Sequence, residues 1–186
     1  MNSKKWYKKI EEAIAGMDWS MIEQSISLLK KARKNGKQVF IIGNGGGAGT
    51  HFAADLFKIA GMKAICLNDN IPLVSALTND NGWTEIYIEQ LKRLMNPGDV
   101  VIAQSVHGGK GQDKAGKWSE NLTKAIDYAN KHNGKTISIV GFDGGELKKI
   151  STKCILISAE STPVIESFQN LVHHMIAFEL SVVNRQ

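Results

Sequence analysis

Cysteine is scarce in this 186-residue chain. Cys66 and Cys154 each sit in an apolar, strand-like run, AICL and CILI. They lie too far apart for a CxxC metal pair, and they read as buried free thiols rather than a disulfide. Long apolar runs are also missing, and none approaches membrane-spanning length. The opening MNSKKWYKKIEEA lacks the apolar centre of a secretory leader, so cytoplasmic residence is the expectation. There is no internal repeat, low-complexity tract or linker. One domain is therefore expected, with enough length for a full core. Acidic residues are outnumbered, 18 Asp and Glu against 23 Lys and Arg, for a net charge of +5. Much of the excess lies at Lys4, Lys5, Lys8, Lys9, Lys30, Lys31, Arg33, Lys34 and Lys37. They fall in no known reader motif. Solvated helix faces are thus favoured over nucleic-acid binding, and an anionic substrate would also suit the charge.

What is present is a regular alternation. Residues 3–16 and 18–34 read as two amphipathic helices, with Met21, Ile22, Ile26, Leu28, Leu29 and Ala32 at near-helical spacing. Asn35-Gly36 is a stop signal, since either residue can take the left-handed position after a helix. Apolar strand-like runs follow at 38–42, 63–67, 99–104, 136–141 and 153–158. Helix-like stretches fall at 50–59, 83–95, 118–132, 144–150 and about 163–183. The pattern predicts an α/β fold in three layers: a five-stranded parallel sheet flanked by helices, preceded by the N-terminal helical pair at 1–36, which packs on the domain or on a partner subunit. Ligands of such sheets bind beyond the carboxyl ends of the strands, which directs attention to the loops there.

The first of these loops is the richest. QVFIIGNGGGAGTHFAAD runs from a strand through Gly43, Gly45, Gly46, Gly47 and Gly49 into a helix carrying His51 and Asp55. Glycines there admit a ligand close to the backbone, and the helix N-terminus attracts phosphate. The loop after the third strand is long, SVHGGKGQDKAGKWS, and ends in a helix start with Ser119 as its N-cap. Ser105, Ser119 and nearby N–H groups are phosphate candidates. The GFDGG loop at 141–145 reads as a turn. His51 and Asp55, four apart, share a helix face. On the last helix Glu166, Gln169 and His173 form a stripe, with His174 about 80° from Glu166. Two helices that each offer a carboxylate and a histidine could share a divalent metal, and these ligand types suit zinc.

GNGG followed by HFAADL resembles the sugar isomerase (SIS) domain family, and within it the phosphoheptose isomerases. The resemblance continues through LTNDNGWTEIY at 77–87, NPGDVV at 96–101, SENLTKAI at 119–126, GFDGG at 141–145 and the HHMI of the last helix. It implies the SIS fold, a homotetramer with sites at subunit interfaces, and aldose–ketose isomerisation of a phosphorylated sugar. It also implies a zinc ion held by His51, Asp55, Glu166 and His174. Asp55 is then the base and His174 the acid for proton transfer between C1 and C2 through an enediol. Asn44, Gly45, Gly46, Ser105 and Ser119 would bind the substrate at its phosphate end, and Asp80 its hydroxyls. The chain departs from the family at Asp55, where the family has Glu, and at Glu166, where it has Gln. Its third-strand loop also replaces a Ser/Thr-rich phosphate loop. The competing readings are a non-catalytic sugar-phosphate-binding module or adaptor, and a dinucleotide enzyme using Gly43-x-Gly45-x-x-Ala48 with Asp69.

Overall fold

The computed structural model describes residues 3–45, 49–109 and 119–182. The N-terminal pair forms as the periodicity predicts, as α1 (Ser3–Ala15) and α2 (Trp19–Lys34). Asp18 caps α2, its carboxylate accepting from the Met21 N–H at 3.2 Å. Gly36, at φ +65°, takes the left-handed position that turns the chain into the sheet. The apolar face of α2 is buried through Ile22, Ile26, Leu29 and Ala32, and α1 adds Ala13, so the pair packs on its own domain.

The strands are β1 (Gln38–Gly43), β2 (Lys63–Cys66), β3 (Val100–Ser105), β4 (Lys135–Val140) and β5 (Lys153–Leu156). All pair in parallel, in the order β2-β1-β3-β4-β5. The near-continuous apolar runs of β1 and β3 are explained by burial on both faces. Val39, Ile41, Val100 and Ile102 meet α1, α2, α3 (Thr50–Lys58) and α8 (Thr162–Glu179). Phe40, Ile42, Val101 and Ala103 meet α5 (Ile86–Leu94), α6 (Glu120–Lys131) and α7 (Gly145–Ile150). The strand order reverses between β1 and β3, and there Gly43 and Gln104 lie side by side. That reversal opens the crevice in which α/β sheets hold ligands.

Four sequence expectations need correction. A helix, α4 (Ile71–Asp80), fills a stretch read without one. Asn70 caps it by accepting from the Leu73 N–H at 3.1 Å, and Pro72 lies in its first turn. The stretch 83–95 is not one helix: a 3-10 turn, Trp83–Glu85, leads into α5. Ser119 occupies the N-cap position of α6, but its side chain makes no capping bond. The last helix ends earlier than expected, at Glu179. Cys66 is buried and Cys154 half-buried, both as free thiols. Burial pushes both thiols above their ordinary range, which makes them poor nucleophiles. No helix among the described residues is long and apolar enough to cross a membrane.

Candidate active site

α3 and α8 lie side by side on one face of the sheet and run in the same direction. His51 and Asp55 on α3 meet His174 on α8, and past them Val182 N–H donates to the Ile59 carbonyl at 3.0 Å. Phe52 and His173, each one residue from this trio, stack at 4.4 Å and 6° and lock the two helices in register. His173 is buried. Its desolvation, with His174 and His51 adding to it, pushes its pKa down to about 3, so the ring is a neutral packing element.

Asp55 Oδ2 lies 3.2 Å from His174 Nδ1 and 3.4 Å from His51 Nε2. Neither approach has hydrogen-bond geometry, and this oxygen is buried without a hydrogen-bond donor among the described residues. The Asp55 side chain is 13% exposed, whereas His51 and His174 are 67% and 49% exposed, so the trio opens outward. All three ligand atoms lie within 4.8 Å of one another. Ligands about 2.1 Å from a tetrahedral zinc stand roughly 3.4 Å apart, which matches the two short distances. A carboxylate oxygen buried without a donor beside two imidazole nitrogens is what a divalent cation would satisfy. The residues therefore fit the metal expected from the sequence.

Glu166 does not join this trio. It lies eight residues before His174 on α8, about 12 Å along the axis. Helical angle, which sets His174 about 80° from Glu166, takes no account of this axial separation. Gln169, between them, is buried, and its amide Nε2 donates to the Ile139 carbonyl at 3.0 Å.

The phosphate candidates gather elsewhere. A cavity of about 400 Å³ beyond the carboxyl ends of β1 and β3 is lined by Asn44, Gly45, Ser105 and Ser119. Trp83, Val106, His107 and Thr162 complete its walls. Ser105 Oγ accepts from the Gly108 N–H at 3.0 Å and shapes the turn there. Gly108, at φ +74°, packs so closely on the Gly144 carbonyl that a side chain has no room. The GFDGG segment is the expected turn, with Gly144 N–H donating to the Gly141 carbonyl at 2.9 Å. Phe142 of this turn stacks on His107 at 4.4 Å. Asp80 ends α4 in solvent, accepting from Asn79 Nδ2 at 2.7 Å, and is not among the residues lining the cavity. Gly46, and the loop stretch 110–118, lie outside the described residues.

Sequence reading passed over the residues beneath the cavity. Tyr87 on α5, Asn68 after β2 and Asn121 on α6 converge on Gly43 and Asn44. Burial raises the Tyr87 hydroxyl to about 12, so it stays protonated as a donor. No spacing signal marks these residues, because they come from three separate elements.

No family model matches the chain. It is 32% identical over 174 residues to a phosphoheptose isomerase of Helicobacter pylori, covering 90% of this chain and 85% of that protein. It is 39% identical over 146 residues to the lincomycin biosynthesis protein LmbN of Streptomyces lincolnensis, covering 72% of this chain but only about half, 52%, of that longer relative. The solved structure of a phosphoheptose isomerase from Francisella tularensis shares the fold at a TM-score of 0.85 and 21% identity, covering 97% of this chain and 98% of that one. With this likeness to a relative matched along most of its length, the chain belongs to the phosphoheptose isomerase family and is a phosphosugar isomerase of the SIS fold.

Proposed function

We propose that the protein interconverts sedoheptulose 7-phosphate and glycero-manno-heptose 7-phosphate, with the His51–Asp55–His174 trio as its reaction centre. The observation that carries this reading is their convergence from two helices on one buried carboxylate oxygen. Asp55 Oδ2 faces the imidazoles, leaving Oδ1 to take the carbon-bound proton. His174 turns Nδ1 toward Asp55, which leaves Nε2 to deliver a proton to the carbonyl oxygen. His51, Asp55 and His174 would hold a zinc ion, which when bound polarises the oxygens on C1 and C2. Glu166, one helical turn past Thr162 at the cavity wall, would serve as the remaining ligand only from another copy of the chain, given its axial distance from His174. Turnover of sedoheptulose 7-phosphate by the pure protein tests the assignment. A protein that binds this sugar phosphate without converting it would be a sensor or adaptor instead.

The cavity supplies the phosphate site in this reading. Hydroxyls of Ser105, Ser119 and Thr162 and the backbone at Gly45 suit an acceptor-only group. Sedoheptulose 7-phosphate is expected to raise the melting temperature by several degrees, and unphosphorylated sedoheptulose to leave it unchanged. Equal shifts from both sugars in a thermal scan would remove the phosphate from the argument.

The reading includes a homotetramer with sites at subunit interfaces, resident in the cytoplasm. No residue of the trio lines the cavity, and Thr162 stands twelve residues, about 18 Å, from His174 along α8. A site completed by a second copy would join the two. Exposed apolar residues support association: Tyr7, Ile10 and Ile14 form a stripe on α1, Phe57 on α3 is 66% exposed, and Leu171 and Phe178 of α8 are exposed as well. Light scattering at micromolar concentration should give a mass four times that of the chain; a monomer there would refute the assembly.

A further inference from the structure

Asn44 is the first residue beyond β1 and lines the cavity, yet its side chain is engaged below it. Asn44 Nδ2 donates to Asn121 Oδ1 at 2.9 Å, and Asn121 Nδ2 donates back to Asn44 Oδ1 at 2.9 Å. Asn121 is fully buried, and its Oδ1 also accepts from the Leu122 N–H at 2.9 Å. That third bond fixes the orientation of the amide, since a flip would set its NH2 group against an N–H. Below the pair, the Tyr87 hydroxyl donates to the Gly43 carbonyl at 2.6 Å and lies 3.2 Å from Asn44 Oδ1. Asn68 Nδ2 donates to both Gly43 O and Tyr87 Oη, at 3.1 and 3.0 Å.

The network joins the two sides of the cavity. Asn44 and Gly45 belong to the loop after β1, while Asn121 follows the cavity residue Ser119 by two positions. A phosphate only accepts hydrogen bonds, so Asn44 Oδ1 would repel it. One Nδ2 hydrogen and Oδ1 are both held by the reciprocal pair with Asn121, so swinging the amide toward the cavity would break that pair and leave a buried acceptor unsatisfied. We propose that Asn121 and Tyr87 are positioning residues for the sugar-phosphate site: they clasp the Asn44 side chain so that the Asn44–Gly45 backbone faces the phosphate. The inference rests on the sugar-phosphate reading above.

The test uses Asn44→Ala, Asn121→Ala, their double variant and Tyr87→Phe in the full chain. Inorganic phosphate is titrated by calorimetry, and kcat and KM are measured with sedoheptulose 7-phosphate. Each alanine variant is expected to raise the phosphate Kd and the KM about fivefold, with kcat held within about twofold. The double variant should be no weaker than either single, because each already opens the clasp. Tyr87→Phe keeps the ring packing and should raise both constants by about threefold. Multiplying effects in the double variant would mean that Asn44 meets the phosphate independently, overturning the clasp. Lower melting temperatures with unchanged Kd and KM would overturn it as well, by reducing the network to fold support. Where the alanine variants fail to fold, an unchanged phosphate Kd in Tyr87→Phe is the overturning result. A wild-type protein that binds phosphate without turnover defeats the isomerase reading alone, and the clasp is still judged on Kd. A wild-type protein that does not bind phosphate defeats both.

Discussion

Asp55→Asn is expected to lower isomerase turnover by about 10²–10⁴-fold while the protein keeps its fold. The substitution preserves the shape of the side chain and removes the charge and basicity on which proton abstraction depends. It also weakens the cation site, because Asp55 supplies the one anionic ligand atom of the trio. His51→Ala separates the two roles. His51 is mostly exposed and contributes little to the core, so its loss should release bound zinc with little change in melting temperature. Metal analysis of protein purified without chelator, paired with kcat for both variants, checks the expectation. Full activity in Asp55→Asn would remove Asp55 from the chemistry. Loss of folding or assembly in both variants, with activity per folded oligomer retained, would make the trio a structural contact.

The second large effect is expected at Gly49, the residue just before α3. Its φ of −66° is open to any residue, so the demand for glycine comes from close packing. A Cβ there would overlap the Ile41 side chain and the Gln104 amide. Both neighbours are fully buried at the carboxyl ends of central strands and cannot retreat. Gly49→Ala should cost about 1–3 kcal/mol and lower the melting temperature by several degrees, with Gly49→Val worse. Gly45→Ala is the comparison: a Cβ there meets nothing within 4 Å among the described residues, and its cost is limited to about 1 kcal/mol from the positive φ. If calorimetry found Gly49→Ala the milder of the two, the close-packing account of α3 would be wrong.

The fold was legible where side chains are buried on a regular period. All five strands were found, because runs such as Val100–Ala103 are apolar on both faces of the sheet. α4 escaped for the complementary reason. Amphipathic spacing marks a helix only when one face is buried, and none of the ten α4 residues is. Its caps, Asn70 and Pro72, were the remaining signal. In the site, helical angle paired His51 with Asp55, whereas His174 and Glu166 entered through the family resemblance; His174 meets the pair and Glu166 does not, because it lies about 12 Å away along α8. Asn44, Gly45, Ser105 and Ser119 did gather at one cavity, as expected for loops at the reversal of strand order. Tyr87, Asn68 and Asn121 stayed hidden, since a hydrogen-bond network among distant elements leaves no period in the chain.

A helix without a buried side chain also sets a local clock. Ten residues are too few to hold a helix in water by backbone bonds alone. α4 is secured by its caps and by Val74 and Leu77, half-buried against the neighbouring core, while Ile71 is 74% exposed. Its amides should therefore exchange with solvent through small local openings, well before those of β1 or β3. Asp80 rides on its last turn, so the timing of any contact it makes is set by this segment and not by the sheet.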